Sequence, residues 1–208
     1  MLVIGLTGSI GMGKSAAAQY LAERGVPVCD ADAEVHRLYE GRAVPAVAAA
    51  FPAAIREGKV DRPLLAKEVA GSPEKLMQLE AIVHPMVTKA EIEFLRAQER
   101  RGAKFAVLEI PLLFETGAET RVDVTIVMSA PPEVQKARVL ARPGMDEAKL
   151  QSLLTRQLAD EVKRTRADYV VDSGTSVEHM RAQIDKILEQ LEGRKGRVTE
   201  RLRHENEA

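Results

Sequence analysis

The 208-residue sequence predicts an α/β protein: a three-layer fold in which a parallel five-stranded sheet lies between helices. Three observations predict it. Short β-branched apolar runs recur at residues 2–6, 26–29, 105–109, 124–128 and 169–171, each of strand length. Stretches with apolar residues at helical spacing separate them, so consecutive strands join by right-handed crossovers rather than hairpins. The first run leads at once into a glycine-rich string that opens a helix, which is the setting of a phosphate-binding loop.

Residues 8–15 read Gly-Ser-Ile-Gly-Met-Gly-Lys-Ser. Gly8, Gly11 and Gly13 let the backbone bend so that several N–H groups point inward at phosphate oxygens. The dipole of the helix that starts near Lys14 adds positive potential there. Lys14 reaches toward the β- and γ-phosphates and the Ser15 hydroxyl ligates Mg²⁺, so the expected ligand is a magnesium nucleoside triphosphate. A phosphate-facing lysine contributes little to a core, so its loss should leave the fold intact. The helix runs over residues 15–24 and stops at Gly25.

The second strand carries Cys29, the one cysteine of the chain. Its apolar surroundings predict a buried strand residue, and the absence of a pairing partner fits a reducing cytoplasm. Asp30-Ala31-Asp32-Ala33-Glu34-Val35-His36 follows. Residues just past the carboxyl end of a strand face the ligand crevice in such sheets. If the second strand neighbours the first, Asp30 or Asp32 points toward the γ-phosphate. A carboxylate there is costly unless it binds Mg²⁺ or accepts a proton. A hydroxyl acceptor needs such a group, whereas a phosphate acceptor would be repelled by it. The alternative for one of the pair is a turn that caps the next helix.

The stretch 33–103 is mostly helical in pattern. Residues 46–54 are alanine-rich, and 63–70, 74–83 and 85–100 show helical spacing. That length between strands predicts a helical subdomain rather than a loop. The third strand ends in Glu109-Ile110-Pro111-Leu112-Leu113-Phe114-Glu115, a carboxylate placed to support Mg²⁺, followed by apolar residues that line either the core or a substrate pocket. After the fourth strand, a helical hairpin over 132–142 and 146–166 carries Arg138, Arg142 and Arg156, with Lys136 and Lys149 nearby. Arg138 and Arg142 lie four apart and share a helix face. A basic hairpin beside a phosphate loop can close as a lid over the triphosphate, the alternative being a solvated basic surface. Ser176 caps the last helix, which runs to about residue 191. Residues 193–208 read as a charged, disordered tail.

Bulk properties exclude several classes. Hydrophobic residues make up 45% and charged residues 29%, and the net charge is −1, so no global field draws in nucleic acid or an anionic membrane. Aromatic residues are only 3%, with no tryptophan, against a base-stacking platform. No apolar stretch has the length of a membrane span. No His/Cys cluster has zinc spacing. The expected partners are small molecules, with no nucleic acid or membrane, and the chain is expected as a monomer or weak homo-oligomer.

Several motifs together resemble the dephospho-CoA kinase family: the phosphate loop with Ile10, the string at 30–36, His84-Pro85, and Pro-Leu-Leu-Phe-Glu at 111–115. Arg138-x-x-x-Arg142, Arg156-Gln157 and Ala-Asp-Tyr-Val-Val at 167–171 extend the likeness over about residues 2–190. The resemblance implies a P-loop NTPase-type fold and transfer of the ATP γ-phosphoryl group to the 3′-hydroxyl of dephospho-CoA, with Mg²⁺, in the last step of coenzyme A synthesis. It implies one kinase domain over 1–192, with a core of about 1–32, 103–134 and 165–192, an acceptor-binding insert at 33–102 and a lid at 135–164.

By position, Asp32 matches the family's catalytic base, Lys14 its phosphate-binding lysine and Arg142 its lid arginine. Gly8, Gly11, Met12, Gly13, Lys14, Ser15, Ala16 and Arg138 fall on the ATP side. Asp30, His36, His84 and Leu112 fall on the acceptor side. Ser9 and Met12 replace residues that are often glycine and serine, and Ala16 replaces the usual threonine, which removes one hydroxyl near the α-phosphate. The alternative functions are a nucleoside monophosphate kinase and a nucleotide-switched binding protein. No Asn-Lys-x-Asp string that would read guanine is present.

Overall fold

The computed structural model describes residues 1–207, with side chains through Leu202. In chain order the elements are β1 (Leu2–Thr7), α1 (Lys14–Glu23), β2 (Val28–Asp30), α2 (Ala31–Tyr39), α3 (Val44–Ala50), β3 (Ile55–Arg56), β4 (Lys59–Val60), α4 (Arg62–Val69), α5 (Pro73–Arg100) and β5 (Phe105–Glu109). Then come β6 (Val124–Ser129), α6 (Pro132–Leu140), α7 (Glu147–Leu154), α8 (Asp160–Arg166), β7 (Tyr169–Asp172), α9 (Val177–Leu191) and α10 (Val198–Glu207). The chain forms two compact units, residues 1–29 with 95–208, and residues 30–94.

The first unit is built on a parallel five-stranded sheet of order β2-β5-β1-β6-β7. All five expected strands form. One condition attached to them fails: β2 lies beside β5 and not beside β1. The register Leu6↔Glu109 and Thr7↔Val127 gathers the carboxyl ends of β5 and β1 on one edge, with β6 running on past Thr7 to Ser129. Thr7 Oγ donates to the Pro111 carbonyl at 3.2 Å just beyond them. Leu2, Ile4, Leu6, Ile126 and Met128 pack with Leu21 of α1 and with Met180, Ile184 and Leu191 of α9. Burial of each such side chain stabilises by roughly 1.5–3 kcal/mol. The Tyr20 hydroxyl donates to Asp185 at 2.7 Å and so ties α1 to α9, and that bond raises the phenol above its ordinary pKa.

The expected tail is largely an ordered element. Residues 198–207 form α10, and Val198, Thr199 and Leu202 are buried. Asp123 Oδ1 accepts from the N–H groups of Arg197 and Val198 at 2.7 and 3.0 Å, while its Oδ2 accepts from Val3 N at 2.9 Å. A carboxylate some 75 residues upstream thus caps this helix and fixes it to β1. Local composition holds no trace of that. Ala208, the end of the expected tail, lies outside the described residues.

The second unit has its own core of Leu38, Tyr39, Val47, Phe51, Val60, Leu65, Leu79 and Val83. Burial pushes the Tyr39 phenol up. The two-stranded β3–β4 hairpin was not legible in the sequence: each strand is two residues long, joined by a turn with Glu57 at φ 48° and Gly58 at φ 73°. The helical stretches at 74–83 and 85–100 are one continuous helix, α5, which runs through Pro85. The ring removes one N–H from the ladder without ending it.

Candidate active site

Gly8 to Lys14 lead from β1 into α1, which begins at Lys14. Gly11 and Gly13 hold φ 79° and 81°, values that L side chains rarely adopt. A Cβ on Gly11 would sit 2.7 Å from Val139 Cγ2, and one on Gly13 would sit 2.9 Å from Ser173 Oγ. Any side chain at either position would both strain the turn and collide with α6 or with the end of β7.

Three elements outside the loop grip its outer carbonyls and amides. Ser173 Oγ donates to the Met12 carbonyl at 3.0 Å. Gln135 Nε2 donates to the Ile10 carbonyl at 2.8 Å, and Ile10 N donates to Gln157 Oε1 at 3.1 Å. Arg138 donates to the Ser173 carbonyl at 2.6 Å and hydroxyl at 3.0 Å, and reaches the Gly11 carbonyl at 3.4 Å. The Met12 side chain is buried in the main core, and its N–H is engaged with the Ser9 carbonyl at 3.1 Å. Ser15 and Ala16 are exposed on the first turn of α1.

Lys14 extends back over the strand ends, where its ammonium pairs with the Glu109 carboxylate. Both side chains are largely buried, 15% and 6% exposed. The carboxylate at the end of β5 therefore meets the loop lysine directly.

Arg138 lies inside α6, but Arg142 falls two residues past its end, in an exposed turn. The expected shared helix face does not exist, because the helix stops at Leu140. Arg156 likewise sits in the exposed turn after α7, and the expected hairpin is three short helices, α6 to α8. The return from α7 is pinned. Leu158 N donates to Glu115 Oε1 at 2.8 Å, Lys163 Nζ lies 2.9 Å from the same oxygen with its side chain fully buried, and Ser129 Oγ donates to Asp160 at 2.6 Å. Between this return loop, α6 and the ends of β6 and β7 lies a cavity of about 740 Å³, lined among others by Ser9, Gln135, Gln157, Asp160 and Asp172.

Of the apolar run after β5, Leu113 and Phe114 are core residues, and Arg166 stacks over the Phe114 ring at 4.7 Å. Leu112 is half-buried.

In the second unit Asp30 is the N-cap of α2, accepting from Asp32 N at 2.8 Å and Ala33 N at 3.2 Å. Its carboxylate does the capping that the sequence left open for one of the pair, which leaves Asp32 exposed in the first turn with its carboxylate uncommitted to that cap. The His36 ring is held by the Arg62 guanidinium. His84 is exposed on α5. Among the described residues, no cluster of three or more His, Cys, Asp or Glu could hold a metal ion. Sequence reasoning did not assign roles to Gln135, Gln157 or Ser173. Their only signal was the Arg-Gln pair at 156–157.

Comparison with known proteins gives a consistent result. A model of the dephospho-CoA kinase family matches residues 2–179. A dephospho-CoA kinase of Brucella melitensis is 52% identical over 199 residues, covering 96% of this chain and all of the relative. One of Bradyrhizobium diazoefficiens is 54% identical over 191 residues, 92% of this chain and 96% of the relative. A crystal structure of a Thermus thermophilus protein superimposes with a TM-score of 0.82 at 38% identity, covering 92% of this chain and 98% of that one. A shikimate kinase from Acinetobacter baumannii shares the fold, with a TM-score of 0.56 at 17% identity over 93% and 96% of the two chains.

Proposed function

The chain belongs to the dephospho-CoA kinase family, and from that membership we propose how its residues carry out the reaction. The enzyme phosphorylates the ribose 3′-hydroxyl of dephospho-CoA with ATP, giving coenzyme A and ADP. The observation that carries the residue assignment is the phosphate loop itself, bent at Gly11 and Gly13 and leading into Lys14 at the N-terminus of α1.

ATP binds with its phosphates on the N–H groups of Gly11, Gly13, Lys14 and Ser15 and the positive end of α1, with Met12 holding the turn between them. Lys14 moves from Glu109 onto the β- and γ-phosphates and stabilises charge on the transferring group. Mg²⁺ fits this site as an ion held chiefly by the triphosphate, with the exposed Ser15 hydroxyl and the nearby Glu109 carboxylate on the protein side. That sparse donor set suits a cation that keeps several waters. When bound, it neutralises phosphate charge.

Asp32 orients the acceptor hydroxyl and takes its proton, which a dissociative transfer releases late. The capping role of Asp30 supports this division of labour. Arg142, exposed in the turn after α6, closes over the transferring phosphoryl group, while Arg138 stays on the ATP side. Asp30, His36, His84 and Leu112 contribute to the acceptor side. No helix among the described residues is long and apolar enough to cross a membrane, and we place the enzyme in the cytoplasm, acting on small molecules as a monomer or weak homo-oligomer.

Incubation with Mg-ATP and a panel of acceptors tests the assignment. ADP release should depend on dephospho-CoA. Dependence on a nucleoside monophosphate, or on no acceptor at all, would overturn it.

A further inference from the structure

We propose that Gln135 and Gln157 are positioning residues for ATP, a two-sided clasp that fixes the peptide groups of Ile10 and through them the whole phosphate loop. The inference rests on ATP binding at residues 8–15. Ile10 stands between Ser9 and Gly11, and Gly11, at φ 79°, offers no side-chain sterics to restrain the peptide unit they share. Inside the loop the Ser9 carbonyl is tied to Met12 N at 3.1 Å, whereas the Ile10 N–H and carbonyl take their partners from outside it. Gln135 Nε2 donates to the Ile10 carbonyl at 2.8 Å, and Gln157 Oε1 accepts from the Ile10 N–H at 3.1 Å.

The two amides do opposite jobs, and the backbone dictates which. A carbonyl needs a donor and an N–H needs an acceptor, so neither amide can be flipped without losing its bond. Gln135 is a buried polar residue, and its burial makes the bond costly to leave unmade.

The origin of the two residues gives the clasp its consequence. Gln135 stands on α6, one turn before Arg138, and Gln157 stands on the return loop after α7. Both roots of the basic segment 138–156 therefore grip one residue of the phosphate loop. The Gln157 root is itself fixed, since the next residue, Leu158, donates to Glu115. Ordering the loop before ATP arrives removes an entropic cost that ATP binding would otherwise carry. A loop free to turn at Ile10 would present its N–H groups to phosphate in more than one arrangement. The clasp acts on the ATP side alone, and so its loss should be read in ATP affinity and not in acceptor affinity.

Four substitutions in the full-length enzyme test this, with ATP Kd measured calorimetrically, KM measured for both substrates, and thermal unfolding as a check on folding. Gln157→Met removes the acceptor while keeping length, and Gln157→Glu keeps an acceptor. Gln135→Met and Gln135→Glu both remove the donor. Each broken bond should weaken ATP binding about two- to tenfold, the range of one lost hydrogen bond. The KM for dephospho-CoA should stay within about twofold. Both Glu variants bring a charge that the triphosphate repels, so they are compared with each other: Gln157→Glu, which keeps its bond to Ile10 N–H, should bind ATP more tightly than Gln135→Glu, which loses its bond.

The proposal is overturned if both Met variants bind ATP like the parent, if Gln157→Glu binds ATP no better than the equally charged Gln135→Glu, or if the KM values for both substrates rise together in step with a lower unfolding temperature. A parent enzyme that forms ADP without dephospho-CoA would instead overturn the functional reading, so the two failures are distinguishable.

Discussion

The Lys14 ammonium is paired with the Glu109 carboxylate, and each side chain is almost closed off from solvent. This pair gives Lys14 a task beside the phosphate-binding role proposed for it, since it neutralises a buried carboxylate. Lys14→Ala should lower kcat about a hundredfold or more, as loss of a preorganised electrostatic donor does. It should also destabilise the fold by about 1–3 kcal/mol, because Glu109 is left buried without its partner. The sequence alone suggested no such cost. Urea unfolding of Lys14→Ala and of Lys14→Ala/Glu109→Gln checks it. The double variant should regain most of the stability and none of the activity.

Asp30 and Asp32 separate by what their carboxylates already do. Asp30 holds the first turn of α2 through two backbone N–H groups, a task asparagine performs nearly as well. Asp30→Asn should therefore keep stability and most activity, while Asp30→Ala should cost about 1 kcal/mol. Asp32→Asn should keep ATP affinity and lose kcat by far more than acceptor affinity. Paired measurements of ATP Kd and kcat decide between them. A dead Asp30→Asn beside a healthy Asp32→Asn would reverse the roles.

Much of this was legible in the sequence, and the pattern of what was not has a physical basis. The five strands, the phosphate loop and the Ser176 cap are encoded within a few residues of themselves, by β-branched apolar runs, glycine spacing and a side chain three residues from its target. Ser176 indeed accepts from His179 N at 3.1 Å. Apart from the β3–β4 hairpin, whose two-residue strands are too short to show a pattern, much of what went unread depends on partners far along the chain. Helix α10 is ordered by Asp123, and the loop amides are met by Gln135 and Gln157. The lateral order of strands is not written in any one segment, so β2 could be recognised without showing that β5 lies between it and β1. Arg142 shows the opposite failure: a spacing of four implies a shared face only while the helix lasts.

Arg138 and Arg142 should respond differently to removal. Arg138 bonds the Ser173 carbonyl and hydroxyl and touches the Gly11 carbonyl, so Arg138→Ala loosens the junction between α6, the loop and the end of β7. It should raise the ATP KM about tenfold and lower stability by about 1–2 kcal/mol. Arg142 is exposed past the end of α6, and Arg142→Ala should leave stability within about 0.5 kcal/mol of the parent. Its effect should fall on kcat instead, where a cation reaching the transferring phosphoryl group acts. Steady-state kinetics and thermal unfolding on both variants separate the two roles. If Arg142→Ala leaves kcat unchanged, the lid role belongs to another cation.

Lys163 and Glu115 form a charge pair with the lysine side chain wholly buried, and the same Glu115 oxygen accepts from Leu158 N. Such a pair is weak evidence for net stability, because desolvation of both charges offsets their attraction. Removing one partner is another matter. Lys163→Met leaves a carboxylate beneath α8 with no counter-charge and should cost about 3–5 kcal/mol. Glu115→Gln leaves the ammonium buried and should cost a similar amount, although a glutamine oxygen can still accept from Leu158. In Lys163→Met/Glu115→Gln both charges are gone, the Leu158 bond survives, and methionine fills the lysine's volume. That variant should therefore be close to the parent in stability, and the difference between it and the summed single variants measures the coupling directly. It should also keep ATP affinity, because Gln157 remains held through its neighbour Leu158. If the double variant is as unstable as the single ones, the pair stabilises the return loop by more than the neutralisation of its own charges.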